Sequence, residues 1–305
     1  MYKIILLSLI LILMEIIFLG TGGGRVNLIR QIRKTGGFRI NSESANIHVD
    51  PGPGALLYSV SQHQDPLKLD AVIVTHSHVD HGNDANILIE GMTKFALDKK
   101  GILIASRNSL EGNDRVITGY HQSHVKEIYA AEYGQKRKFQ TRRGEFEIEI
   151  IEIKHDEPTG FGFKLFLDGK VIGYTSDTNW FEQLGEKFSG CDVLIANCLK
   201  PFSDGIPDHL ESRDVINLLK AAKPKAAILS HFGVKMLRAD PELEAKRIEY
   251  EAEVETIAAR DGMKIMVGSE IKVADEGKEK EPLPPGAELA EEQFADKKEY
   301  GSGNG

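Results

Sequence analysis

Short apolar runs, each closed by a polar or glycine-rich break, recur along most of the chain. Glu15–Leu19 reads as a buried strand stopped by Gly20-Thr21-Gly22-Gly23-Gly24, and strand patterns follow at Phe38–Ile40 and Asn46–Val49. The turn Asp50-Pro51-Gly52-Pro53-Gly54 feeds a short helix near Ala55–Val60, and Ala71–Val74 is a four-residue apolar strand. Further strands are expected at Ile102–Ala105, Phe146–Ile153, Phe161–Leu167, Val171–Tyr174, Val193–Ala196, Ala226–Leu229 and Lys264–Val267. Helical spacing marks Asn83–Leu97, Trp180–Phe188, Ser212–Ala222 and the charged stretch Pro241–Arg260. No capping-box acid is read from Ser212 and Val215, although Glu211 and Asp214 put negative charge near that helix start. Strands first, then strands alternating with helices, in two halves, predict two sheets packed face to face with helices outside. This is a four-layer α/β sandwich in one domain.

Composition sets the limits of this domain. The hydrophobic content of 41% over 305 residues is ordinary for a globular chain. Past Val273 periodicity stops while Pro, Glu and Gly increase, so 274–305 reads as an acidic disordered tail. Residues 275–305 carry nine acids against four lysines, so the tail accounts for most of the net charge of −8. That sign argues against a protein that coats long nucleic acid, but not against one small anionic substrate in a positive cleft. The cluster Lys136-Arg137-Lys138 with Arg142-Arg143 reads as a solvated hairpin edge rather than a binding patch. Two cysteines, Cys191 and Cys198, are too few for a disulfide framework and suit a reduced, cytoplasmic setting. At the N-terminus Glu15 interrupts the apolar stretch too early for a stable membrane span, which needs about 20 apolar residues. Residues 1–13 are read as an extension or weak membrane anchor ahead of a domain over 14–273.

The densest chemistry follows Ala71–Val74 directly: His76, Ser77, His78, Val79, Asp80, His81, an HxHxDH hexad. Three imidazoles and a carboxylate behind a buried strand are costly unless something compensates them, and a metal does so. In an extended stretch His76, His78 and Asp80 share one face, while a turn at Asp80-His81-Gly82 carries His81 to a second centre. Three later residues sit just beyond apolar strands: His155, Asp177 and His231. Such strand ends form a common rim in layered α/β folds. Asp177 suits a bridging position, because a carboxylate binds two cations and a neutral imidazole does not. Two adjacent ions would activate a shared water as the nucleophile. Asn197, ending another strand, is a candidate to line the same cleft and touch substrate. The glycine loop lacks the GK[ST] ending of a phosphate cradle, and its expected use is to let backbone pass close to the metal floor. His48, His63, His121 and His124 are assigned to surface or core, and Trp180 to core packing.

Met14–Val267 resembles a metallo-β-lactamase-fold hydrolase. The resemblance rests on Phe18-Leu19-Gly20-Thr21-Gly22, Asp50-Pro51-Gly52, Thr75–Gly82, His155, Tyr174-Thr175-Ser176-Asp177-Thr178 and Leu229-Ser230-His231-Phe232. The FLGTG opening and TSDT block look like the branch that holds the tRNA 3′-processing endonuclease and the cyclic phosphodiesterase of phosphonate breakdown. The resemblance implies His76, His78 and His155 on one ion, Asp80, His81 and His231 on the other, and Asp177 between them. It also implies that Asp80 orients the attacking hydroxide. Three nitrogens suit Zn2+, and the oxygen-bearing site tolerates Mn2+. The chain departs from the endonuclease in lacking its AxDxxH block and its long glycine-rich arm. It carries Pro207-Asp208-His209-Leu210 instead, similar to the phosphodiesterase branch, 22 residues before His231. His209 is therefore the candidate general acid and phosphate contact.

The expected function is a dinuclear metal-dependent hydrolase acting on a small or cyclic phosphodiester. An RNA-processing nuclease, a lactone or thioester hydrolase and a non-catalytic metal-binding carrier are the alternatives, since a fold does not determine chemistry. A homodimer is compatible with this reading.

Overall fold

The computed structural model describes residues 14–202 and 209–277, and among these fifteen strands form two sheets. The first sheet begins with β1 (Met14–Phe18), β2 (Phe38–Asn41), β3 (Asn46–Val49), β4 (Ala71–Val74), β5 (Lys100–Ala105) and β6 (Val125–Ala130). The second contains β7 (Lys136–Gln140), β8 (Glu145–Glu152), β9 (Phe161–Leu167), β10 (Lys170–Tyr174), β11 (Val193–Asn197), β12 (Ala226–Ser230) and β13 (Glu255–Ala258). The chain then returns to the first sheet as β14 (Lys264–Val267) and β15 (Ile271–Asp275). Spatial orders are β15-β14-β1-β2-β3-β4-β5-β6 and β13-β12-β11-β10-β9-β8-β7. Neighbours are parallel from β3 to β6 and from β10 to β13.

The period of two explains the layering. Along β4, Ala71 and Ile73 enter the core between the sheets with Ile47, Ile104, Phe161 and Phe163, while Val72 and Val74 face outward onto Leu88, Ile89 and Met92. All four β4 residues are buried, which is why this parallel strand reads as a continuous apolar run. In β12, Ile228 points into the inter-sheet core, and Ala227 and Leu229 meet Leu218, Leu219 and Ile248 of the helices outside. The expected four-layer α/β sandwich is the architecture found.

Several element boundaries differ from the pattern. The helix expected over Asn83–Leu97 spans Ala85–Met92, and three consecutive residues, Lys94, Phe95 and Ala96, then take positive φ. Within Trp180–Phe188 only Leu184–Lys187 is helical. The stretch Pro241–Arg260 splits in two: the helix ends at Ala252, Glu253 turns left-handed at φ 58°, and β13 continues beside β12. The Ser212–Ala222 helix has the expected span, but it does carry a capping box. Glu211 is the N-cap, and its N–H donates to Asp214 Oδ2 at 3.1 Å. The tail assignment begins two residues early, since β15 runs to Asp275. The extension over 1–13 and the tail past 277 lie outside the described residues, as do Pro207 and Asp208.

The basic cluster is the hairpin edge expected of it. Lys136, Arg137 and Lys138 lie on β7, at the end of the second sheet, and pair with Glu147, Glu127 and Glu145. Trp180 packs partly buried against the outer core. Cys191 and Cys198 are free and buried, and burial pushes the Cys191 thiol up to about 12. Among the described residues no helix is long and apolar enough to cross a membrane.

Candidate metal centre

The carboxyl ends of β3, β4, β10, β11 and β12 open onto one rim, and the polar residues that follow them converge there. After β4, Thr75 and His76 continue the chain, and His78 stays extended at φ −62°, ψ 147° as the N-cap of a four-residue helix, Val79–Gly82. The helical turn corrects the shared-face expectation. His76 and His78 do stay together, but Asp80 turns with His81 toward His231. Three non-glycine residues at the rim take positive φ: Asp50 at 49°, Ser176 at 54° and His231 at 63°. Such conformations cost about 1–3 kcal/mol each and persist where the surroundings over-determine them.

The predicted residues form overlapping groups whose ligand atoms lie within 4.8 Å of one another. His76, His78 and His155 make one group, and Asp80, His81 and His231 another. His76, His81 and Asp177 connect them, and a fourth group joins His155 and Asp177 to His209. Asp177 Oδ2 lies 3.3 Å from both His81 Nε2 and His231 Nε2, 3.2 Å from His209 Nε2 and 4.0 Å from His76 Nε2. Burial pushes the Asp177 carboxyl up, but His231, His81 and His209 together hold it well below the usual range. Burial and His81 likewise keep His76 neutral, far below its ordinary value.

These side chains fit a divalent cation. His76 Nε2 is buried with no hydrogen-bond partner. His81 Nε2 approaches His231 Nε2 to 3.1 Å, and His155 Nε2 approaches His78 Nδ1 to 3.3 Å. Nitrogen lone pairs facing each other at such distances need a proton or a shared cation between them, and imidazole with carboxylate is a donor set that metals of the zinc and manganese kind accept.

Residues to which the sequence alone assigns no role hold the ligands from behind. Asp50 accepts from His81 Nδ1 (2.9 Å), Tyr174 OH (2.9 Å), Thr75 Oγ1 (2.8 Å) and Thr75 N (2.7 Å). With Nδ1 donating, His81 presents its Nε2 lone pair to the rim. Asp156 Oδ1, half-exposed, lies behind His78, 3.5 Å from its Nε2, but meets His155 on the ligand side, 3.1 Å from the Nε2 that also faces His78. Asp50 reaches the hexad through strand pairing, since β3 runs parallel to β4 with Val49 opposite Ile73, and that pairing is not written in the local sequence. Asn197 is only 4% exposed, and its amide is directed to Asp177 Oδ1 at 2.7 Å. The glycine loop passes the centre closely, as expected. A Cβ on Gly23 would lie 2.1 Å from His231 Nδ1, and one on Gly52 would lie 2.0 Å from the Asp80 carbonyl oxygen. Of the four histidines assigned to surface or core, His48 is fully buried and bonded to the Gly36 carbonyl, and His121 pairs with Glu90.

Comparisons with known proteins bear on the family and the fold. A family model described as beta-lactamase superfamily domain matches residues 45–232. An uncharacterized protein of Methanocaldococcus jannaschii is 38% identical over 256 residues, 82% of this chain and 94% of that protein. A ribonuclease Z of Sulfolobus acidocaldarius is 24% identical over 276 residues, 77% of this chain and 93% of that enzyme. Among solved structures, a metallo-beta-lactamase fold protein of Bacillus subtilis superposes with a TM-score of 0.68 at 20% identity, over 83% of this chain and 99% of that one.

Proposed function

The chain belongs to the beta-lactamase superfamily of metal-dependent hydrolases, and on that premise we propose that it cleaves a small or cyclic phosphodiester at a centre of two divalent ions, Zn2+ or Mn2+. His76, His78 and His155 would hold one ion, Asp80, His81 and His231 the other, with Asp177 shared. When bound, such a pair supplies Lewis acidity toward the phosphoryl oxygens and lowers the pKa of a coordinated water. Asp80, 13% exposed, keeps its carboxylate ionised against the pull of burial through His81 and His231, and this carboxylate would accept a hydrogen bond from the attacking water and aim it.

The observation that carries the phosphodiester reading is the position of His209. It is 21% exposed, its Nε2 lies 3.2 Å from Asp177 Oδ2, and its ring stacks on His231 at an interplanar angle of 12°. It is therefore held against the shared carboxylate while remaining open to solvent on the rim, where a leaving alkoxide needs a proton. A second reading, RNA cleavage, draws on the ribonuclease Z relative. It loses one support in the basic cluster, because the Lys136–Lys138 strand and Arg143 are engaged by Glu147, Glu127, Glu145 and Asp70.

Turnover of an aryl phosphodiester with added Mn2+ or Zn2+ tests the proposal. Wild type should hydrolyse it, and His209→Ala should be slower by about a hundredfold or more, the usual contribution of a positioned acid. Equal turnover by the variant would remove His209 from the mechanism. A discrete 3′ cut in precursor tRNA, with no turnover of small diesters, would select the RNA reading.

A further inference from the structure

Asn197 closes β11 beside Ser230 of β12, and its main-chain N–H donates to Thr175 Oγ1 at 3.0 Å. Its side-chain amide has two hydrogens and both are used: one meets Asp177 Oδ1 at 2.7 Å, the other Tyr174 OH at 3.1 Å. The Tyr174 proton is committed to Asp50 Oδ2 at 2.9 Å, so the phenol oxygen must accept from Asn197. Turning the amide over would set its carbonyl oxygen against a carboxylate and against the lone pairs of a phenol. The network thus determines which way the amide points. Asn197, Tyr174, Asp177 and Asp50 are all at least 96% buried, so both amide hydrogens are spent inside the protein.

The consequence falls on Asp177. A carboxylate turns easily about its last torsion. With Oδ1 tied to the amide, only Oδ2 is directed at the rim, equidistant at 3.3 Å from His81 Nε2 and His231 Nε2. We infer that Asn197 is a positioning residue that makes Asp177 serve both half-sites through a single oxygen, and that Tyr174 ties this setting to the Asp50 carboxylate that orients His81. The inference rests on the two-ion reading given above. Without the amide, Asp177 is free to turn both oxygens onto one ion, and the second ion loses its shared ligand.

Metal binding tests this without any substrate. Wild type, Asn197→Ala, Asn197→Asp and Tyr174→Phe, each stripped and retitrated with Zn2+ or Mn2+, are compared by stepwise calorimetry and by elemental analysis after dialysis. Far-UV circular dichroism and the urea midpoint serve as controls for folding. Wild type should hold two ions. Both Asn197 variants should keep the first and bind the second about tenfold more weakly or worse, the scale of losing a residue that orients a ligand. Asn197→Asp keeps the shape and turns the amide donor into a carboxyl beside Asp177, whereas Asn197→Ala removes the hydrogen bond without adding a charge, so agreement between the two separates positioning from packing and from charge. Tyr174→Phe keeps the ring and should weaken the second ion by a smaller factor, providing an arm that folds if the Asn197 variants do not. Two ions bound with wild-type affinities in the Asn197 variants would overturn the inference. No ion bound by wild type would sink the two-ion reading itself, and the inference with it.

Discussion

His48 lies on β3 beside the centre without belonging to it, and it makes the clearest single-residue prediction. It is fully buried, and its Nε2 donates to the Gly36 carbonyl at 2.9 Å while Nδ1 has no partner. Burial, with Arg39 opposite on β2, lowers its pKa to about 3. In the unfolded chain it titrates near its ordinary value of about 6.5. Between these limits the unfolded state holds one more proton than the folded state, so stability falls as pH drops below about 6.5, by up to about 1.4 kcal/mol per unit. Urea unfolding of the metal-free protein at several pH values should therefore give a steeper acid loss for wild type than for His48→Gln. Parallel profiles would mean that His48 takes its proton without unfolding. Residues around the centre are only partly legible from the chain itself. The hexad, His155, Asp177 and His231 announce themselves because imidazoles and carboxylates set directly after apolar strands are costly to bury unless a cation compensates them. Asp50 does not, since an Asp-Pro-Gly turn looks the same on a surface. Asn197 could be assigned to the rim but not to its partners, which come from β10 and from the turn that follows it.

At the scale of elements, the helix Ser212–Ala222 depends on its start. Glu211 and Asp214 satisfy each other's neighbouring backbone N–H groups, and the apolar face of the helix, with Val215, Leu218 and Leu219, covers the second sheet. Asp214→Ala removes the acceptor for the Glu211 N–H and should cost about 1 kcal/mol, the usual worth of a helix cap. The measurement is a lower urea midpoint at unchanged slope, since the surface exposed on unfolding stays the same. An unchanged midpoint would show that tertiary packing alone sets this helix. The strands absent from the sequence pattern share one physical cause, since β6, β7, β13 and β15 are the four sheet edges. Elements stabilised by burial on both faces, such as β4, β11 and β12, are written as apolar runs and are readable. Edge elements are not: β7 has one buried residue, Phe139, and β13 is four residues following a charged helix, so helical periodicity carries straight across Glu253.

At the scale of the molecule, the centre draws on both sheets. His76, His78, Asp80 and His81 come from the end of β4 in the first, whereas His155, Asp177 and His231 follow β8, β10 and β12 in the second. Two packed halves are expected from the order of elements, but local pattern could not supply the strand order. β14 returns to pair with β1, and Thr21 bonds Asp261 across 240 residues, a closure that depends on tertiary contacts alone. The inter-sheet core is apolar and continuous, so the metal-free protein should remain folded. Bound ions would nevertheless act as a clasp between the sheets, because the unfolded chain does not preform a site of such widely spaced ligands. Binding to the folded state alone adds about 4 kcal/mol at a thousandfold excess over Kd. The melting temperature should therefore fall on treatment with EDTA and rise stepwise with free Zn2+ or Mn2+, and His231→Ala should lose much of that rise. A melting temperature independent of metal concentration would mean that the seven residues meet without holding an ion strongly enough to join the two halves.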